Sequence, residues 1–154
     1  MDFLVWNEAL SVGVPEIDAD HRRIIDLVNK LHEGLTGLDP GAVVSDSLAA
    51  LVDYTEYHFS REERAMEHCT YPARQEHMVS HRRFEEDLRC FQDDYNRAFP
   101  EGEGAKEVGE RLLAYLKAWL VGHIIHADGA LRPYIASVDD AGRAMNEVED
   151  IKFS

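Results

Sequence analysis

The chain has 154 residues, enough for one domain with one hydrophobic core. Its formal charge of −14 speaks against nucleic acid or an anionic membrane surface as a partner. No run is long and apolar enough for a membrane span, because the stretch around 112–125 is short and interrupted by Lys117 and His123.

The first residues, MDFLVWNEAL, carry no basic segment followed by a long apolar one, so no signal peptide is expected and the cytoplasm is the expected location. The two cysteines, Cys69 and Cys90, lack CxxC spacing and are expected to be free thiols.

Residues 1–17 contain Trp6, Gly13 and Pro15 and show no helical period. They predict an extended arm packed on the domain through Phe3, Val5 and Trp6. Asp18 offers an N-cap for a first helix, whose inward stripe is His21, Ile24, Ile25, Val28, Leu31 and Leu35. Gly34, Gly37 and Asp39-Pro40-Gly41 end it. A second helix is predicted over about 42–67, with Leu48, Leu51, Val52, Thr55, His58, Phe59, Glu62 and Met66 on one face.

Thr70-Tyr71-Pro72 predicts a turn. The third helix, about 73–98, aligns His77, His81, Phe84, Leu88, Phe91 and Tyr95. After the loop at 100–104, a fourth helix over about 105–131 aligns Leu112, Leu116, Trp119, Leu120, His123, Ile124 and Ala127, and Pro133 limits it. The expectation is all-α: an up-down-up-down four-helix bundle with an N-terminal extended arm and a short C-terminal extension. The bundle domain is expected over 1–135. The acidic extension, 136–154, is expected as a short surface helix over 140–149 or a mobile tail.

Polar ligand-type residues fall on these apolar stripes. His58 and Glu62 are four apart, as are His77 and His81, so each pair lies one turn apart on one helix face. Buried polar groups cost free energy unless partnered, and a metal partners them all. Five imidazoles with carboxylates exceed what one tetrahedral zinc needs and suit two adjacent metals that share the carboxylates. Asp128 fits less well. Five residues at about 100° each put it roughly 140° from His123 around a straight helix. His126, three residues after His123, faces nearly the same way as His123, so periodicity alone divides the choice between His126 and Asp128. His32 and His68 have no ligand-like companions.

These residues resemble the hemerythrin family, most closely its bacterial branch, the bacteriohemerythrins. The resemblance covers about residues 5–131. It rests on Val-Trp-Asn around Trp6, Asp18-x-x-His21, His58-Phe59-x-x-Glu62-Glu63, Met66, Tyr71-Pro72, His77-x-x-x-His81 and Trp119-x-x-x-His123-Ile124-x-x-x-Asp128. Myohemerythrin, a member of the family, is an up-and-down bundle. The resemblance implies two iron ions in a non-haem di-iron centre. His77, His81 and His123 would ligate one iron, His21 and His58 the other. Glu62 and Asp128 would bridge them beside a solvent-derived oxo or hydroxo group. It also implies Asp128 rather than His126 on the fourth helix.

The implied function is reversible dioxygen binding for storage, delivery or scavenging, with dioxygen as partner and no enzyme activity. Phe59, Trp119 and Ile124 flank ligands and are candidate walls of an oxygen pocket, although core packing accounts for each equally well. Alternative readings are an oxygen- or redox-sensing module, and a di-iron enzyme with peroxidase or nitric-oxide-handling activity. The Glu-x-x-His motif of ferritin-like di-iron oxygenases does not occur in the chain.

Overall fold

A computed structural model describes residues 3–98 and 102–136. Among them are four long helices and no strand: α1 (Pro15–Gly34), α2 (Pro40–His68), α3 (Arg74–Ala98) and α4 (Gly102–Gly122). A π-helical segment (His123–Asp128), a 3-10 turn (Gly129–Leu131) and a short α5 (Arg132–Ala136) continue α4. Consecutive helices pack side by side, α4 closes the bundle onto α1, and α2 and α4 also touch across it. Among the described residues no helix is long and apolar enough to cross a membrane. The expectation for 140–149 falls outside the described residues.

The start of α1 differs from the Asp18 cap read in the sequence. Pro15 occupies the first turn and Val14 is the N-cap, with no side-chain cap bond. Proline presets the helical φ and gives up only an N–H that would be unpaired there. Asp18, inside the first turns, instead accepts bonds from the Ser11 hydroxyl (2.6 Å) and the Val12 N–H (2.9 Å). It therefore ties down the arm rather than starting the helix.

The arm also departs from a plain extended strand, with a 3-10 turn at Glu8–Leu10. Leu4 anchors it, its N–H and C=O both bonded at 2.8 Å to the Asn29 side chain. Phe3 and Trp6 pack against the core, and Lys117 and Arg22 lie over their respective rings. Val5, expected to pack, is 67% exposed, because the Leu4 anchor turns its neighbour outward.

Asp39 caps α2 by accepting from the Ala42 N–H. The α2–α3 turn closes with the Tyr71 N–H on Met66 C=O (2.9 Å) and the Thr70 N–H on Glu67 C=O (3.2 Å). This is the Schellman pattern, with Thr70 at the left-handed position (φ 56°).

Among the described residues the interior has two apolar clusters. The larger includes Ile24, Phe59, Phe84 and Ile124. The smaller includes Ile17, Ala65, Met66 and Leu131. Along α1 the order is Ile17, His21, Ile24. Along α2 it is Phe59, Glu62, Met66, and along the α4 continuation Ile124, Asp128, Leu131. A buried polar layer thus separates the two apolar ones.

Gly109 permits a close helix approach near the opposite end. A Cβ there would stand 2.5 Å from Leu35 Cδ2 and 2.6 Å from Val44 Cγ2. A Cβ at Gly122 would meet nothing within 4 Å. Gly109→Ala should therefore destabilise the protein by about 1–3 kcal/mol through overpacking. Gly122→Ala should be neutral, or stabilising by up to about 1 kcal/mol through helix propensity. Thermal unfolding followed by circular dichroism checks this, and equal melting temperatures for the two variants would contradict it.

Candidate metal centre

Four helical segments deliver the polar layer. α1 supplies His21, α2 supplies His58 and Glu62, α3 supplies His77 and His81, and the α4 continuation supplies His123 and Asp128. All seven are buried, with Glu62, His81 and Asp128 at 0% exposure. His77 Nε2 stands 2.5 Å from Glu62 Oε1 and 2.9 Å from Asp128 Oδ1. His81 Nε2 is 3.1 Å from Glu62 Oε1, and His123 Nε2 is 3.0 Å from Asp128 Oδ1. On the other side, His21 Nε2 is 2.9 Å from Asp128 Oδ2 and His58 Nε2 is 3.3 Å from Glu62 Oε2.

Two donor groups result. One comprises Glu62, His77, His81, His123 and Asp128, the other His21, His58, Glu62 and Asp128. Within each, one donor atom per residue lies within 4.8 Å of all the others. Glu62 and Asp128 belong to both, and each turns one oxygen toward either group.

The π-helical segment explains how Asp128 arrives. A π turn closes at i→i+5, so it brings residues five apart onto one face. His123 and Asp128 are five apart and bound this segment. The angular conflict of a straight α-helix disappears. His126, inside the same segment, is exposed. The expected uninterrupted fourth helix is corrected accordingly: α geometry ends at Gly122.

The buried atoms fit a cation. His21 Nε2, Glu62 Oε2, His81 Nε2, His123 Nε2 and both Asp128 oxygens are buried without a hydrogen bond. Unpaired buried polar atoms are costly, and here they converge. Electrostatics agree. Burial opposes charge on His58, yet Asp20 and Glu62 outweigh it and raise its pKa to about 10. Asp128 and Glu62 likewise overcome burial to raise His77 to about 10 and His123 to about 9. Against their own burial, Glu62 is held well below the carboxylate range by His123, His58, His77 and His81, and Asp128 by His123 and His21. The layer thus demands positive charge. Bound cations meet that demand and leave the imidazoles neutral, as ligands must be. Nitrogen-rich donors with shared carboxylates suit iron or zinc better than calcium or magnesium.

The three candidate pocket walls take different places. Phe59 stacks on His81 with centroids 3.9 Å apart, and Trp119 stacks on His123 at 4.3 Å. Both back rings of the three-histidine group. Ile124 is buried and borders a hollow of about 160 Å³ between the arm and the α1 and α4 segments. His32 stacks on Phe3, away from the layer.

The sequence reading missed an outer ring. Asp20, 3% exposed, meets His58 Nδ1 at 2.9 Å and accepts from the Tyr54 hydroxyl at 3.2 Å. Arg61, also buried, places Nε 3.6 Å from the same carboxylate. Glu63 meets His81 Nδ1 at 2.7 Å and pairs with Arg82. Ser80 Oγ lies 3.4 Å from His123 Nδ1. The signal was adjacency: Asp20 precedes His21 and Glu63 follows Glu62. Each, however, serves a histidine on a neighbouring helix, which periodicity within one helix does not reveal.

Fold and site together define a helical-bundle protein with two buried histidine–carboxylate donor groups that share Glu62 and Asp128. The family model described as Hemerythrin HHE cation binding domain matches residues 12–135. A bacteriohemerythrin of Stenotrophomonas maltophilia is 35% identical over 130 residues, which is 84% of this chain and 80% of the relative. A bacteriohemerythrin of Pseudomonas aeruginosa is 33% identical over 148 residues, 96% of this chain and 88% of the relative. The crystal structure of a wild-type hemerythrin superposes with a TM-score of 0.76 at 26% identity, covering 87% of this chain and 98% of its own. The chain belongs to the hemerythrin family.

Three substitutions test the layer. Asp128→Ala should abolish paired metal loading, while His126→Ala should leave it intact, because only Asp128 is buried among the donors. Elemental analysis reads both, and metal loss in His126→Ala alone would overturn the assignment. Asp20→Asn should weaken one of the two metals about 10–100-fold, as removal of an outer-shell partner does. Chelator competition measures this, and an unchanged release curve for both metals would refute it.

Proposed function

We propose that this protein binds dioxygen reversibly at a non-haem di-iron centre, for oxygen storage, delivery or scavenging. One observation carries the reading: two unequal donor groups share Glu62 and Asp128. His77, His81 and His123 would hold one iron and His21 and His58 the other, with both carboxylates common. When bound, the iron pair supplies the two electrons that dioxygen takes up and gives back.

The chain's own residues set the rest. The group with His21 and His58 has four donor residues against five, so it is the side with room for a diatomic ligand. Five imidazoles supply neutral nitrogens, whereas the carboxylate-rich sites of oxygenases use Glu-x-x-His motifs absent here. Apolar residues on both sides of the polar layer exclude water, and the low dielectric strengthens the site's electrostatics. Phe59 and Trp119 hold the rings of His81 and His123 in place by stacking. The reading is of a binding protein rather than an enzyme, its metal-binding unit within 1–135.

The decisive experiment is anaerobic reduction of iron-loaded protein, then addition and removal of oxygen, followed by visible absorbance. A spectrum that appears with oxygen and disappears on its removal is expected, with about two irons per chain as the donor set requires. Rapid irreversible oxidation, or a reproducible single zinc with no iron, would overturn the reading. His81→Ala should lose iron and melt at a lower temperature than His32→Ala, since metal binding is linked to folding. Equal iron contents and melting temperatures would count against the ligand role.

A further inference from the structure

An unbroken aromatic path leaves the three-histidine group toward α3 and α4. Trp119 lies nearly parallel to His123, with 4.3 Å between centroids and 11° between planes. Phe84 stacks on Trp119 at 4.1 Å and faces Tyr115 at 5.9 Å and 14°. Tyr115 and Trp119 are four residues apart on α4, hence on one helix face. The Tyr115 hydroxyl donates to Asp87 Oδ2 at 2.7 Å, and both residues are half-buried. The path begins on a proposed ligand and ends on a phenol whose proton already has an acceptor.

We propose that Trp119, Phe84, Tyr115 and Asp87 form an escape route that carries oxidising equivalents from the metal layer to the protein surface when hydrogen peroxide reacts there. The proposal rests on the di-iron reading above. Indole and phenol are the readily oxidised rings of the path, and Phe84 contributes contact rather than electrons.

Hydrogen peroxide becomes two waters by taking up two electrons and two protons, with its O–O bond broken. Where the irons are already ferric, the protein must supply those electrons. Trp119 gives one and loses its indole N–H proton to solvent. Tyr115 gives the other, and its phenolic proton passes along the 2.7 Å bond to Asp87, which releases it to solvent. Solvent returns two protons to the waters, so the balance closes.

Burial and Asp87 push the Tyr115 pKa well above the usual phenol range, so its proton leaves only together with the electron. The route would spare the ligand imidazoles, the nearest oxidisable alternative. Tyr71, edge-on to His77 at 6.4 Å, is the competing exit.

The test uses iron-loaded, oxidised full-length protein mixed with hydrogen peroxide, frozen rapidly and examined by electron paramagnetic resonance. A tyrosyl signal is expected, altered in line shape when the protein is grown on ring-deuterated tyrosine. Tyr115→Phe should lose that signal while keeping two irons and reversible oxygenation. Mass spectrometry should then find new oxidation at His123, the ring stacked on Trp119, in place of the equivalent that Tyr115 carries in the wild type. Asp87→Asn should lower the yield, because an amide does not take up the proton.

Zinc-loaded protein should give no signal, since zinc is not redox-active. No radical in wild type that loads iron and oxygenates reversibly would overturn the route alone. So would a signal that survives Tyr115→Phe and vanishes in Tyr71→Phe. Failure to load iron would overturn both the route and the functional reading.

Discussion

Everything in this bundle depends on keeping two carboxylates, Glu62 and Asp128, in a fully buried layer among five imidazoles. Such groups lose their hydration on folding, and the loss is recovered only if each finds a partner. Pairwise contacts among the seven do not suffice. Both Asp128 oxygens lie within 3.0 Å of histidine nitrogens and still lack a hydrogen bond. The atoms point past one another at common centres. An arrangement optimised for internal hydrogen bonding would not look like this, whereas one that shares cations would.

The π segment shows what the backbone gives up to complete the layer. Continuing α4 as a regular helix would keep better hydrogen-bond geometry but swing Asp128 well away from His123. The chain instead widens for six residues and resumes through a 3-10 turn, so that Leu131 still enters the smaller apolar cluster. The irregular stretch is held from both sides, by Ile124 in one apolar cluster and Leu131 in the other. Local regularity yields where the site needs a particular residue on a particular face.

Most of the bundle could be read from the chain because its helices are amphipathic in the ordinary way. Ile24, Val28 and Leu31 on α1, and Leu112, Leu116 and Leu120 on α4, are buried as their spacing requires. His58 with Glu62 and His77 with His81 converge because four residues make about one α turn. Asp128 was legible only through family resemblance, since a π turn has no period of its own in the sequence. The Asp18 cap was misread because Pro15 starts the helix earlier. Asp20 and Arg61 stayed hidden for a different reason: they are charged residues buried against a neighbouring helix, and only the pairing of α1 with α2 gives them a role.

That outer ring makes the two halves of the layer unequal in a way the ligand count alone does not. Behind His58 stands Asp20, buried, with the equally buried Arg61 to balance its charge. Behind His81 stands Glu63, whose side chain keeps 14% exposure and whose cation, Arg82, is 54% exposed. A charge pair removed from solvent interacts more strongly and is screened less by salt than an exposed one. Ionic strength and surface mutations should therefore reach the three-histidine side through Arg82 and Glu63, while the side with His21 and His58 is insulated. The half of the layer with fewer donor residues is the half in which one of its two imidazoles, His58, is held by a fully buried network. This keeps His58 oriented in the half of the layer that has fewer donor residues.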